Sequence, residues 1–194
     1  MSGTHATYPA PLTAFISTKE RSTLYALAVM VVASLFMAVC AQISIPMYPV
    51  PATLQTFAVM VIGLSLPWRL AGGAVLLYIA EGAAGLPVFA NFGGTETLFG
   101  PRAGYILGFL VMAVTISFLC EMGGRRNLLT RYACAFLGSA LMFACGVAYL
   151  STFIGLEAAI EKGLLPFIVG DFAKLGTASL AVTLLEGSVR HFRP

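Results

Sequence analysis

Six apolar runs separated by short connectors set the limits on what this chain can fold into. They lie at about residues 24–41, 53–66, 70–84, 104–120, 132–154 and 167–185. About 20 apolar residues in a helix cross a bilayer's hydrocarbon core. Most of these runs therefore predict membrane spans, and the second, short for a full crossing, predicts that part of the preceding loop dips into the membrane. The first run follows Lys19 and Arg21. It reads as a retained helix rather than a cleaved signal, because it is long and further spans follow. The remainder of the chain has no water-facing surface to offer: 59% of residues are hydrophobic and 10% charged, against roughly 25% charged in a soluble domain. The expectation is an all-α integral membrane protein with six transmembrane helices. Residues 1–22 form a polar N-terminal tail, and 23–194 a single six-helix membrane domain.

The placement of the basic residues predicts the orientation. With six spans, one side of the membrane receives Lys19, Arg21, Arg69, Arg125, Arg126, Arg131, Arg190 and Arg193, while the other receives only Arg102 and Lys162. Cytoplasmic loops carry the excess of Lys and Arg, so both termini are expected in the cytoplasm. The net charge of +3 is explained by topology and gives no reason to invoke nucleic acid. The connectors at 42–52, 85–103 and 155–166 then face outward. The first carries prolines at 46, 49 and 51, a density that favours an extended or polyproline-like loop. The second, GLPVFANFGGTETLFGPRAGY from Gly85 to Tyr105, holds five glycines and two prolines among Val88, Phe89, Phe92, Leu98 and Phe99. A solvated connector has no use for those apolar residues. The outer loops are therefore expected to fold back as a cap over a ligand cavity.

Few residues carry chemistry. Cys40, Cys120, Cys134 and Cys145 lie in or beside apolar runs without metal-ligand spacing, and read as small packing residues. His5 and His191 lie near the ends, which leaves the bundle without the usual general base or metal ligand. No GxSxG elbow or P-loop motif occurs, so the chain reads as neither an enzyme nor its own ATPase. Asp171 and Lys174 stand three apart in the sixth run, on one helix face. Each would cost roughly 2.5–3.5 kcal/mol at a lipid-facing helix centre. They should therefore face the interior, either as a structural ion pair or as part of a substrate path. Arg102, on the outward side where Arg is disfavoured, could clamp a carboxylate bidentately. Glu81 is ambiguous, Glu157, Glu161 and Lys162 read as solvated, and Ser34 with Ala38 gives the first helix a small-xxx-small face. A proton-coupled secondary transporter of a small carboxylate-bearing solute, with Asp171, Lys174 and Glu81 as relay, is the competing reading.

Four motifs in order, PVPATLQTFAV (49–59), LYIAEGAAGLPVFA (77–90), FGPRAGYILGF (99–109) and GDFAKL (170–175), resemble the BioY family. These are the biotin-binding substrate-specificity (S) components of energy-coupling factor (ECF) transporters. The resemblance covers roughly residues 24–187. It implies a six-helix protein of the prokaryotic cytoplasmic membrane that binds biotin from outside, under the first and third outer loops. It further implies a transmembrane coupling subunit and two ATPases as partners, with the first helix facing the coupling subunit. A homo-oligomer is also compatible with the sequence. Biotin is the transported ligand and no cofactor is implied. The polar contacts would fall on Asn91, Arg102, Asp171 and Lys174, with Gly93 and Gly100 nearby and Phe92 or Tyr105 covering the bicyclic ring. Relatives often carry a small or hydroxyl residue in place of Arg102, as in GPTGGY, so the carboxylate partner stays open between Arg102 and Lys174.

Overall fold

The computed structural model describes residues 23–124 and 127–191. The tail at 1–22, with His5, Lys19 and Arg21, lies outside the described residues, as do Arg125, Arg126 and Arg193. The helices are α1 (Thr23–Gln42), α2 (Gln55–Ser65), α3 (Trp68–Ala83), α4 (Ala103–Leu119), α5 (Leu128–Ile154), α6 (Leu156–Gly163) and α7 (Leu165–His191). Four of them, α1, α4 with the residues following it, α5 and α7, are long and apolar enough to cross a membrane. α2 and α3 are shorter, at 11 and 16 residues.

The connectors hold more structure than their composition suggests. Between α1 and α2 the chain forms a hairpin of two short antiparallel strands, β1 (Ser44–Ile45) and β2 (Ala52–Thr53), where a polyproline-like loop was expected. The three prolines lie in the turn and beside the strands, so none removes a donor that the pairing needs. The loop after α3 winds into 3-10 turns at Ala90–Phe92 and Thr95–Leu98. The expected loop at 155–166 is mostly α6, whose Glu157, Glu161 and Lys162 are exposed. Gly155, at φ 81°, ends α5 and starts α6; glycine is the residue that takes this backbone without strain.

α5 starts four residues earlier than its apolar run. Asn127 and Thr130 form a reciprocal capping box, with the Thr130 N–H donating to Asn127 Oδ1 at 2.9 Å. Arg131 therefore belongs to the first turn of α5 rather than to a basic connector. It is buried and paired with Glu186 near the end of α7. A cation at a helix N-terminus and an anion near a C-terminus both oppose the helix dipole, and pairing across antiparallel helices offsets that cost.

α4 and α5 approach closely because glycines lie in the seam. A Cβ on Gly108 would sit 2.9 Å from the Met142 carbonyl oxygen, and backbone cannot yield as a side chain can. Gly108→Ala is expected to cost about 1–3 kcal/mol through overpacking. Thermal unfolding in detergent would show it, and an unshifted midpoint would mean that the seam is looser than its geometry.

Candidate functional site

Beneath the outer loops lies a cavity of about 590 Å³, a figure that includes its open mouth. The hairpin contributes Val50, Pro51 and Thr53, and α2 contributes Gln55 and Thr56. The loop between α3 and α4 supplies Phe89, Ala90, Thr97 and Arg102, α4 supplies Tyr105, Ile106 and Phe109, α5 supplies Met142 and Phe143, and α7 supplies Phe167, Asp171 and Lys174. The walls are largely aromatic and aliphatic, with a few converging polar groups.

Asp171 and Lys174 both turn inward, without pairing to each other. Asp171 is buried and accepts the hydroxyl of Ser139 from α5. Its other oxygen, Oδ1, makes no hydrogen bond of regular geometry among the described residues, although the Thr56 hydroxyl lies near the carboxyl. Lys174 Nζ donates to the Thr53 carbonyl at 2.6 Å and to Thr56 Oγ1 at 2.9 Å, tying α7 to the strand and helix that form the opposite wall. Arg102 is half-buried at the start of α4, and its Nη1 donates to the Ala90 carbonyl at 3.4 Å. A desolvated cavity thus offers two cations and a carboxylate with one oxygen outside any regular hydrogen bond. That set suits a small molecule carrying both an anionic group and N–H donors.

The other sequence-predicted residues separate. Tyr105 lines the cavity, and its hydroxyl donates to the Gly163 carbonyl at 2.8 Å. Gly146 lies against the ring so closely that a Cβ there would be 2.3 Å from it. Asn91, Phe92, Gly93 and Gly100 do not line the cavity; Asn91 and Phe92 are exposed in the loop above it. Its aromatic walls are Phe89, Tyr105, Phe109, Phe143 and Phe167, with Phe143 edge-on to Tyr105 at 6.4 Å. Glu81 accepts the Ser34 hydroxyl between α3 and α1 and does not line the cavity. Ser34 is fully buried in that contact, so the small-residue pair on α1 is partly used within the bundle.

Sequence reasoning overlooked Gln42, Gln55, Thr56 and Ser139. Asn91 and Phe92 adopt φ 59° and 57°, a region that costs non-glycine residues about 1–3 kcal/mol each. Gln42 holds this backbone: its amide donates to the Phe89 carbonyl at 3.0 Å and accepts the Phe92 N–H at 3.0 Å. Ser44 Oγ reaches Asn91 Oδ1 at 3.1 Å. Below the loop, Gln55 donates to the Tyr78 hydroxyl, which donates to the Val88 carbonyl at 2.9 Å. Further along it, the Gly94 N–H donates to Glu96 and holds that carboxyl below its usual range. The cap is thus pinned at several points. For Gln42, Gln55 and Thr56 the one available cue was that polar residues recur at the outer ends of otherwise apolar helices, whereas Ser139 lies mid-way along α5.

Comparison with known proteins decides the family. The family model described as the BioY family matches residues 14–191. The chain belongs to the BioY family. The probable biotin transporter BioY of Pyrococcus horikoshii is 38% identical over 149 residues, 76% of this chain and 88% of that protein. The biotin transporter BioY of Thermotoga maritima is 38% identical over 148 residues, 75% and 86% of the two chains. The BioY fold is also found in a crystal structure of the S-component for biotin from an ECF-type ABC transporter. That structure matches with a TM-score of 0.75 at 24% identity, over 84% of this chain and 92% of the other.

Proposed function

We propose that this BioY-family protein binds biotin in the capped cavity and delivers it as the substrate-specificity subunit of an ECF-type transporter. In this reading α1, α2, α3, α4, α5 and α7 are six spans of a prokaryotic cytoplasmic membrane, with both termini cytoplasmic. A coupling subunit and two ATPases complete the assembly, and transport rather than catalysis is the activity. One observation carries the proposal. In a chain aligned with biotin transporters over most of their length, Asp171 and Lys174 turn into an apolar cavity without forming a direct ion pair.

Biotin has a carboxylate on a flexible chain at one end and a ureido ring with two N–H donors and a carbonyl at the other. Asp171 and Lys174 stand at i and i+3, about 5–6 Å apart at Cβ, which is too close to serve both ends of the ligand. Together they suit the ureido pole, with Asp171 Oδ1 accepting a ring N–H and Lys174 Nζ donating to the ring carbonyl. Arg102 is then left for the carboxylate. The aromatic walls cover the apolar bicycle, and Asn91 acts from the cap once the ligand is in place. Isothermal titration of biotin into the purified protein tests the function, and absence of binding would remove it.

The carboxylate assignment has its own test. If Arg102 holds the carboxylate, Arg102→Ala and esterification of biotin remove one interaction, and their costs are non-additive. Lys174→Ala and esterification should instead add. The opposite pattern would transfer the carboxylate to Lys174. The cap has a test as well: Gln42→Ala removes the two bonds that hold the strained backbone. It should speed biotin release more than it slows association, read by stopped-flow dissociation, and an unchanged release rate would mean that the cap does not retain the ligand.

A further inference from the structure

A second cavity lies on the other side of Asp171. It is a crevice of about 1220 Å³, open to the side, between α5, α6 and α7. Its floor includes Ala140, Ala144 and Ala148 on one face of α5, its outer end is Leu156, Ile160 and Leu164 of α6, and its far wall includes Phe172 and Leu175 of α7. Asp171 and Phe143 form the partition with the ligand cavity. Ser139 and Asp171 bring the polar atoms of the partition, and they are bonded to each other.

We infer that this crevice is a binding site for one acyl chain of a zwitterionic, ammonium-bearing phospholipid, whose headgroup rests on α6. Three observations support this. From Phe136 to Ala148 the crevice runs about 18 Å along α5 at 1.5 Å per residue, comparable with one leaflet's share of a core about 30 Å thick. α6 bridges α5 to α7 across the outer end, so a continuous partner helix about 10–12 Å wide cannot run through the crevice. A flexible unbranched chain can enter from the side. The third observation is charge: the exposed polar side of α6 presents Glu157, Glu161 and Lys162 together. Two carboxylates and one ammonium match a headgroup carrying both an ammonium and a phosphate better than one carrying only negative charge. An amphipathic helix of this kind lies at the membrane interface.

The inference needs only the membrane placement and is independent of the identity of the transported ligand. The protein is reconstituted in vesicles of phosphatidylethanolamine and phosphatidylglycerol, released into mild detergent and weighed intact by native mass spectrometry. Retention of phosphatidylethanolamine in preference to phosphatidylglycerol is expected. Ala144→Trp fills the crevice and should abolish retention, whereas Val32→Trp, on the exposed face of α1, should not. Circular dichroism and a monodisperse elution profile establish that each variant is folded. Glu157→Lys with Glu161→Lys changes only exposed charges and should reverse the headgroup preference toward phosphatidylglycerol. Lipid-free wild-type protein, undiminished retention in folded Ala144→Trp, or an unchanged preference in the α6 double variant would each overturn the assignment. So would a dimer that Ala144→Trp dissociates, since the occupant would then be a second copy.

Discussion

Asp171→Asn is expected to weaken biotin binding by about 2–5 kcal/mol, the range for unpairing a buried charged hydrogen bond, or about 30-fold to several thousand-fold in Kd. The substitution keeps the size of the side chain and its contact with Ser139, so the cavity keeps its shape. What changes is the second position: an acceptor with no hydrogen bond of regular geometry among the described residues can become an NH2 group facing a ureido N–H. Two donors then confront each other in a water-poor site, where an unmatched polar pair is costly. Lys174→Ala should cost a similar amount for a different reason. It removes a donor from the ligand and also leaves the Thr53 carbonyl and Thr56 hydroxyl without Nζ. Titration of both variants in detergent decides the matter. If both bind biotin as the wild type does, the proposed site is wrong, whatever the family membership.

The second large effect concerns stability rather than binding. Arg131 and Glu186 are an ion pair with side chains 4% and 3% exposed, at the end of the bundle away from the cap. Removing one partner of a buried pair typically costs about 3–5 kcal/mol, because the other loses its close opposite charge while it stays buried. Glu186→Leu and Arg131→Leu should therefore each lower the unfolding midpoint sharply. The double Leu variant should recover much of the loss, since a packed apolar pair is often as stable as the ion pair it replaces. A double variant no better than the worse single would mean that the two side chains act independently. The ligand cavity is remote from this pair, so biotin affinity of the folded fraction should be preserved in all three.

The membrane-spanning runs were legible because lipid leaves a chain few choices. Backbone polar groups in hydrocarbon must be satisfied within the segment, so long apolar runs become helices wherever they occur. The first and fourth to sixth runs appear as α1, α4, α5 and α7, displaced by a few residues at their ends. The displacement at the start of α5 comes from polar capping: hydropathy cannot see that Asn127 and Thr130 start the helix before its apolar stretch begins. The inward turn of Asp171 was legible for a related reason, since a carboxylate facing lipid is penalised. Which partner it meets was not. An ion pair with Lys174 stayed open as the lesser sequence reading beside a ligand site, and packing chose Ser139 for one and Thr53 with Thr56 for the other.

Asn91 and Phe92 illustrate the boundary most clearly. Their motif marks a loop that matters, yet both are exposed in the cap, while Phe89 and Ala90 from the same loop line the cavity. The positive φ at two successive non-glycine residues reverses which side chains point inward, and that backbone is held by Gln42 from a helix some fifty residues away in sequence. The sequence by itself determined the solvent of this protein, its helices and the few charges that had to be sheltered, because each of these follows from the local cost of placing a residue in oil. The tertiary structure alone decided which sheltered groups share a cavity, which are spent holding helices together, and which side of the loop faces the ligand. Those outcomes depend on hydrogen bonds between segments far apart in the chain, for which no local pattern exists.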